Sequence, residues 1–227
     1  AGGTVTTGNM NIGIGYDAMN GGSSMSGDNN IAIGASAGDA LTSGGGNTLM
    51  GLDAGGAMTV ANINVAIGKN ALGSEVSGDR STAVGTSALY SQAMGGTNTE
   101  SKNVGVGLNA GYYNETGTQN TFIGHQAGYG ASGQSNSYNT AVGADALKTV
   151  NGGAYNVAIG GNALKLGTGC EQNTVVGFSA MDAADGGEEQ NVAIGIHALG
   201  GLNETTQGDR NIAIGSSAMS SGIVATF

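Results

Sequence analysis

A nine-residue unit, seen as Asn64-Val65-Ala66-Ile67-Gly68-Lys69-Asn70-Ala71-Leu72, recurs twelve times along the 227-residue chain. Its first positions are Asn11, Asn30, Asn47, Asn64, Ser81, Asn103, Asn120, Asn139, Asn156, Asn173, Asn191 and Asn211, spaced 17 to 22 residues apart. A segment this short cannot bury a core alone and is stable only when stacked on copies of itself. The repeat therefore restricts the chain to a solenoid, one coil per repeat. Twelve coils at about 4.8 Å each predict a rod roughly 55–60 Å long.

Each column of the repeat has its own chemistry. The second position is Ile, Val or Thr, and the fourth is Ile or Val except Met50. β-Branched residues at period two predict a short strand, with these side chains turned into the coil. The third position is usually Ala or Gly and is expected on the outer face, where another chain packs close. Its large exceptions, Phe122, Leu49 and Val175, are the candidate trimer contacts. The fifth position is always Gly, the seventh polar and the eighth always Ala. The ninth is Leu or Met in eight copies and Gly in four; Tyr112 and Tyr129 follow two of those Gly residues and are expected to replace the missing core Leu. In the other two, Leu41 and Met58 come slightly later. The Asn column, with Asn30, Asn47, Asn64, Asn103, Asn120, Asn139, Asn156, Asn173, Asn191 and Asn211, predicts a stacked amide ladder that also suits a tight corner.

Composition narrows the class further. With 46 Gly, no Pro and strict periodicity, the chain is neither collagen nor disordered. A net charge of −10 with six Lys and Arg leaves no basic patch for nucleic acid. No apolar run approaches the ~20 residues of a membrane helix, so no membrane insertion is expected. Cys170 has no partner for an intrachain disulfide. The organisation reads as a lead-in or cap over 1–10, one β-solenoid domain over 11–220 and a C-terminal cap over 221–227. The chain starts without Met, as an excised or processed product would. The fifth coil is the longest, and its excess, Ser91 to Glu100, is expected to loop out.

No catalytic constellation is visible. His125 and His197 lie four coils apart, roughly 20 Å, and no repeat holds a His together with a carboxylate. The Asp column of calcium-binding solenoids is missing. No catalytic residue, metal or cofactor is expected. A polysaccharide-cleaving spike would need two carboxylates within ~5–10 Å, brought together only across loops or chains. An ice- or surface-binding solenoid would need an unbroken Thr ladder, whereas the second column holds only Thr48, Thr82, Thr121, Thr140 and Thr174. The feature off the repeat average is an aromatic cluster in coils six to eight. Within it Tyr113, Tyr138 and His125 are the candidate receptor contacts.

Asn-Val-Ala-Ile-Gly at 64–68, 156–160 and 191–195 resembles the head repeat of trimeric autotransporter adhesins. It is also similar to the repeat of many phage tail fibres, as in Asn139-Thr140-Ala141-Val142-Gly143-Ala144-Asp145-Ala146-Leu147. The resemblance covers residues 9–220. It implies a left-handed parallel β-roll, three chains side by side, and a non-enzymatic fibre at the cell exterior or virion surface. Such a fibre attaches to a glycan or protein receptor. The autotransporter repeat is usually shorter, and its anchor barrel and coiled-coil stalk have no counterpart here. The Ala-Leu pair leans towards the tail-fibre version.

Overall fold

The computed structural model describes residues 7–21, 25–95, 99–133, 136–184, 186–201 and 208–221. Most of the expected lead-in and C-terminal cap therefore lies outside the described residues. The chain is a parallel β-solenoid, and its described residues hold strands and turns and no helix. Twelve three-residue strands, one per repeat, stack into a single sheet and define eleven turns. They are β1 (Ile12–Ile14), β2 (Ile31–Ile33), β3 (Thr48–Met50), β4 (Val65–Ile67), β6 (Thr82–Val84) and β8 (Val104–Val106). The series continues with β9 (Thr121–Ile123), β10 (Thr140–Val142), β11 (Val157–Ile159), β12 (Thr174–Val176), β13 (Val192–Ile194) and β14 (Ile212–Ile214). Equivalent positions pair in register, as in Val65↔Thr82 and Thr140↔Val157. A two-stranded ladder, β5 (Gly78–Asp79) with β7 (Thr99–Glu100), sits on the return side of the long fifth coil.

Backbone groups are satisfied between coils around much of each turn, as buried N–H and C=O groups require. The N–H groups alternate between the two neighbouring coils, as in any parallel ladder: at the first strand residue to the next coil (Val65 N to Ser81 O, 2.9 Å), just past the strand to the previous one (Gly68 N to Met50 O, 2.7 Å). The invariant Gly serves the tight corner that follows. Gly124 has φ +134°, outside the range of L-residues, and a Cβ there would stand 2.5 Å from the Gly143 carbonyl oxygen.

The strand faces are the reverse of the sequence expectation. Third-position residues fill the interior: Ala32, Leu49, Ala66, Phe122, Ala158 and Val175 are completely buried. Second and fourth positions face out. Ile33, Ile67 and Ile159 do share one row, but the row is on the surface, with Ile67 37% and Ile159 40% exposed. The lumen is too narrow for two β-branched columns; it admits one third-position side chain against Ala at position eight and Leu or Met at position nine. Phe122, Leu49 and Val175 are therefore core and cannot touch another chain.

The two largest third-position residues, Leu49 and Phe122, coincide with Gly at the ninth position, whereas the smaller Val175 fits between Leu164 and Met181. A Cβ on Gly38 or Gly55 would stand 2.7 or 2.9 Å from Leu49 methyls. Phe122 lies in the same way between Gly111 and Gly128. The space left by those glycines is thus filled by Leu49 and Phe122, together with the buried Leu41 and Met58. Tyr112 and Tyr129 do not replace the missing Leu; both remain half-exposed.

Two interior glycines test this packing. A Cβ at Gly13 would meet its nearest neighbour, the Ala18 carbonyl oxygen, at 3.4 Å, whereas one at Gly105 would press to 2.8 Å from Leu89 Cγ. Gly13→Ala is expected to leave stability unchanged or raise it by about 0.4–1 kcal/mol. Gly105→Ala is expected to lower the thermal midpoint of the same chain.

Candidate functional site

The Asn column is a ladder, interrupted once at Ser81, on the inner side of the corner preceding each strand. Asn64 shows the pattern. Its N–H and Nδ2 donate to Asn47 Oδ1 at 3.0 and 3.3 Å, its Nδ2 also donates to the Gly78 carbonyl at 2.8 Å, and its own Oδ1 accepts the Ser81 N–H at 2.8 Å. At Ser81 the amide is missing, and Gln92 supplies one instead. Its Oε1 accepts Asn103 Nδ2 at 2.8 Å, and its Nε2 donates to Ser81 Oγ at 3.1 Å and Glu75 Oε2 at 2.7 Å. Gln92 and Met94 turn inward, so the excess of the fifth coil does not simply loop out; residues 96–98 lie outside the described set.

The outer face of the sheet is apolar along its length. Two side chains per strand project from twelve strands, and every one is Ile, Val, Thr or Met. At the ends Ile12, Ile14, Ile212 and Ile214 are exposed, and along the middle Met50, Ile67, Ile123, Ile159 and Ile194 are too. Tyr16, Leu52, Leu108, Phe178 and Ile196, all at the sixth position, extend the exposed apolar surface beyond the strands.

The three candidate receptor residues occupy separate neighbourhoods. Tyr138, just before β10, stacks on Tyr155 at 4.9 Å and accepts a hydrogen bond from Gln119 Nε2 at 3.1 Å. Tyr113 is half-buried, edge-on against Tyr112 and Tyr129, which continue a stack begun by Tyr90. Burial first, then neighbouring tyrosines, raises the pKa of the Tyr112 and Tyr129 hydroxyls above the ordinary tyrosine value. Tyr112 has rings on both faces, whereas Tyr138 and Tyr155 cover only each other's facing surfaces and remain exposed.

His125 is exposed just past β9. Its Nδ1 is 3.7 Å from Asp145 Oδ1, a buried oxygen with no hydrogen-bond partner, while Lys148 Nζ approaches Asp145 Oδ2 at 3.3 Å. No single repeat holds a His with a carboxylate, but stacking brings two repeats together: position six of one coil lies beside position seven of the next. The distance exceeds a hydrogen bond. His197 packs edge-on against Phe178 instead. Cys170 is buried with its thiol on Glu188 Oε2 at 3.3 Å; burial first, then that carboxylate, pushes its pKa far up, which makes it an inert thiol. Among the described residues no group of three His, Cys, Asp or Glu side chains could hold a metal ion. No family model, curated protein or solved structure matches this chain.

Proposed function

We propose that the chain is a structural, non-enzymatic fibre segment of the phage tail-fibre type, assembled as a side-by-side homotrimer. Its loops and corners face a cell-surface glycan or protein receptor at the virion surface or cell exterior. A bacterial adhesin head of the autotransporter type is the alternative source of the same architecture. The observation that carries this reading is the outer sheet face. It carries no charged side chain and spans roughly 55 by 10 Å. That places it at the upper end of the apolar patches a monomer leaves in water, and at about two thirds of the area per partner of a standard interface, which the exposed sixth-position side chains extend. The chain–chain contact therefore moves from the third column, now core, to the second and fourth.

Sedimentation equilibrium tests it. The wild-type chain is expected to sediment as a trimer, and Val142→Asp, which sets a charge on this face, as a monomer with its β-sheet dichroism intact. A monomeric wild type, or a variant that still assembles, overturns the reading. Attachment is tested separately by pull-down of cells with the purified chain against a Tyr113→Ala/Tyr138→Ala variant.

One observation favours a second reading. Thr48, Thr82, Thr121, Thr140 and Thr174 point outward in one column of this regular surface, as the hydroxyls of an ice- or crystal-binding face do, though Val65, Val104 and Val157 interrupt the row. Thermal hysteresis from a chain that stays monomeric would select it.

A further inference from the structure

We propose that Tyr138 and Tyr155 form a site of oxidative coupling, in which a dityrosine bond staples one coil to the next. The two residues hold the same place in successive coils, one before each Asn of the ladder. Both have left-handed backbones, φ 60° and 58°, so both side chains leave the rod in the same direction. The pairing of β10 with β11 fixes their register. Their rings lie 4.9 Å apart and within 6° of parallel, and they are 44% and 54% exposed. The two phenol rings thus face one another across one coil spacing, on side chains that are partly exposed. The Tyr138 hydroxyl accepts its hydrogen bond from Gln119, which leaves its own proton free to depart.

The chemistry needs a one-electron oxidant, here a haem peroxidase supplied with hydrogen peroxide. Each phenol gives up a hydrogen atom, a proton and an electron, to the oxidant. Spin on each tyrosyl radical spreads to the ortho carbons. A carbon–carbon bond forms between one ortho carbon of each ring. Each of those carbons then releases its hydrogen as a proton and its oxygen regains one, restoring both aromatic phenols. In sum, two tyrosines and one hydrogen peroxide give one dityrosine and two waters.

The other tyrosine stack is a poorer substrate. Tyr90, Tyr112 and Tyr129 are tilted by 25° and 21° and half-buried, with Tyr113 wedged edge-on against two of them. Coupling is therefore selective for the exposed pair.

The test treats the full chain with a haem peroxidase and limiting hydrogen peroxide, then reads dityrosine fluorescence and maps crosslinked peptides by mass spectrometry. The expected product is one crosslink within the chain, joining the peptides of Tyr138 and Tyr155, lighter than their sum by two hydrogens. Tyr138→Phe and Tyr155→Phe keep the stacked ring but not the phenol; each is expected to lose most of the fluorescence while dichroism is unchanged. No fluorescence in the wild type, fluorescence that persists in either Phe variant, a crosslink mapping to Tyr90, Tyr112 or Tyr129, or covalent dimers on a denaturing gel would each overturn the proposal. A dimer would also place this ridge at a chain–chain contact, which sedimentation of the untreated chain distinguishes from loss of the assembly.

Discussion

Phe122→Ala is expected to destabilise the rod by about 3–5 kcal/mol, and Gly128→Leu is expected to destabilise it as well, yet the two together are expected to recover most of the loss. Phe122 is the bulkiest fully buried side chain and is completely enclosed. Removing its ring leaves a cavity that the flanking backbone cannot collapse into, because that backbone is fixed by hydrogen bonds to both neighbouring coils. Gly128 is the reason the ring fits. A Cβ at Gly128 would collide with the Phe122 ring, and its three nearest neighbours are all atoms of that ring. Leu alone at 128 therefore overpacks the site, at about 1–3 kcal/mol or more.

The backbone at 128 is not the obstacle. Its φ of 58° is close to the 50°, 50° and 51° at which Leu72, Leu89 and Leu147 occupy the same column. With Ala at 122 and Leu at 128 the coil regains the residues of its regular neighbours. Chemical or thermal unfolding of the four variants gives the coupling directly. A double variant no better than the sum of the singles would mean that the third and ninth columns do not share one space.

The same pair shows what the sequence made legible. The strand, its period and its register followed from twelve aligned copies, because every residue in a column meets the same neighbours. The direction of each face did not follow. Alternation separates two faces without saying which is inside, and β-branched residues are ordinarily read as core. The decisive clue was volume. The interior holds Ala at position eight in every coil, so where position nine is Leu or Met it admits nothing larger than the Val of Val175, and a Leu or Phe only where position nine is Gly. Leu49 with Gly38 and Gly55, and Phe122 with Gly111 and Gly128, carried that compensation in plain view, once residues a coil apart are compared. His125 and Asp145 needed the same comparison, offset by one position. Tyr138 with Tyr155 needed attention to the residue just outside the nine-residue unit. Glu75 and Gln92 lay beyond any such reading. They sit in the variable return segment, where no column exists to align.

Those two residues support the other large effect, expected at about 4 kcal/mol or more for Glu75→Ala. Glu75 is fully buried. Its Oε1 accepts the backbone N–H groups of Val76, Ser77, Gly78 and Met94 at 2.9, 3.0, 2.6 and 3.3 Å, and its Oε2 accepts Gln92 Nε2 at 2.7 Å. Truncation leaves four buried donors, and the partly buried N–H of Val76, without their acceptor. The consequence reaches the ladder, because Gln92 carries the hydrogen-bond chain past Ser81 to Asn103. Glu75→Gln separates shape from chemistry. Its oxygen can still receive the backbone groups, but its Nε2 then faces Gln92 Nε2, donor against donor. Adding Gln92→Glu turns that contact back into a hydrogen bond. The hydroxyl of Ser81 and the amide of Asn103 can donate to the new carboxylate, and the hydroxyl of Ser101 can do so by turning from the Asp79 carbonyl. The double variant is therefore expected to be more stable than Glu75→Gln alone by urea unfolding. Were it less stable, the pair would be held together by packing, and the break in the Asn column at Ser81 would need another acceptor to bridge it.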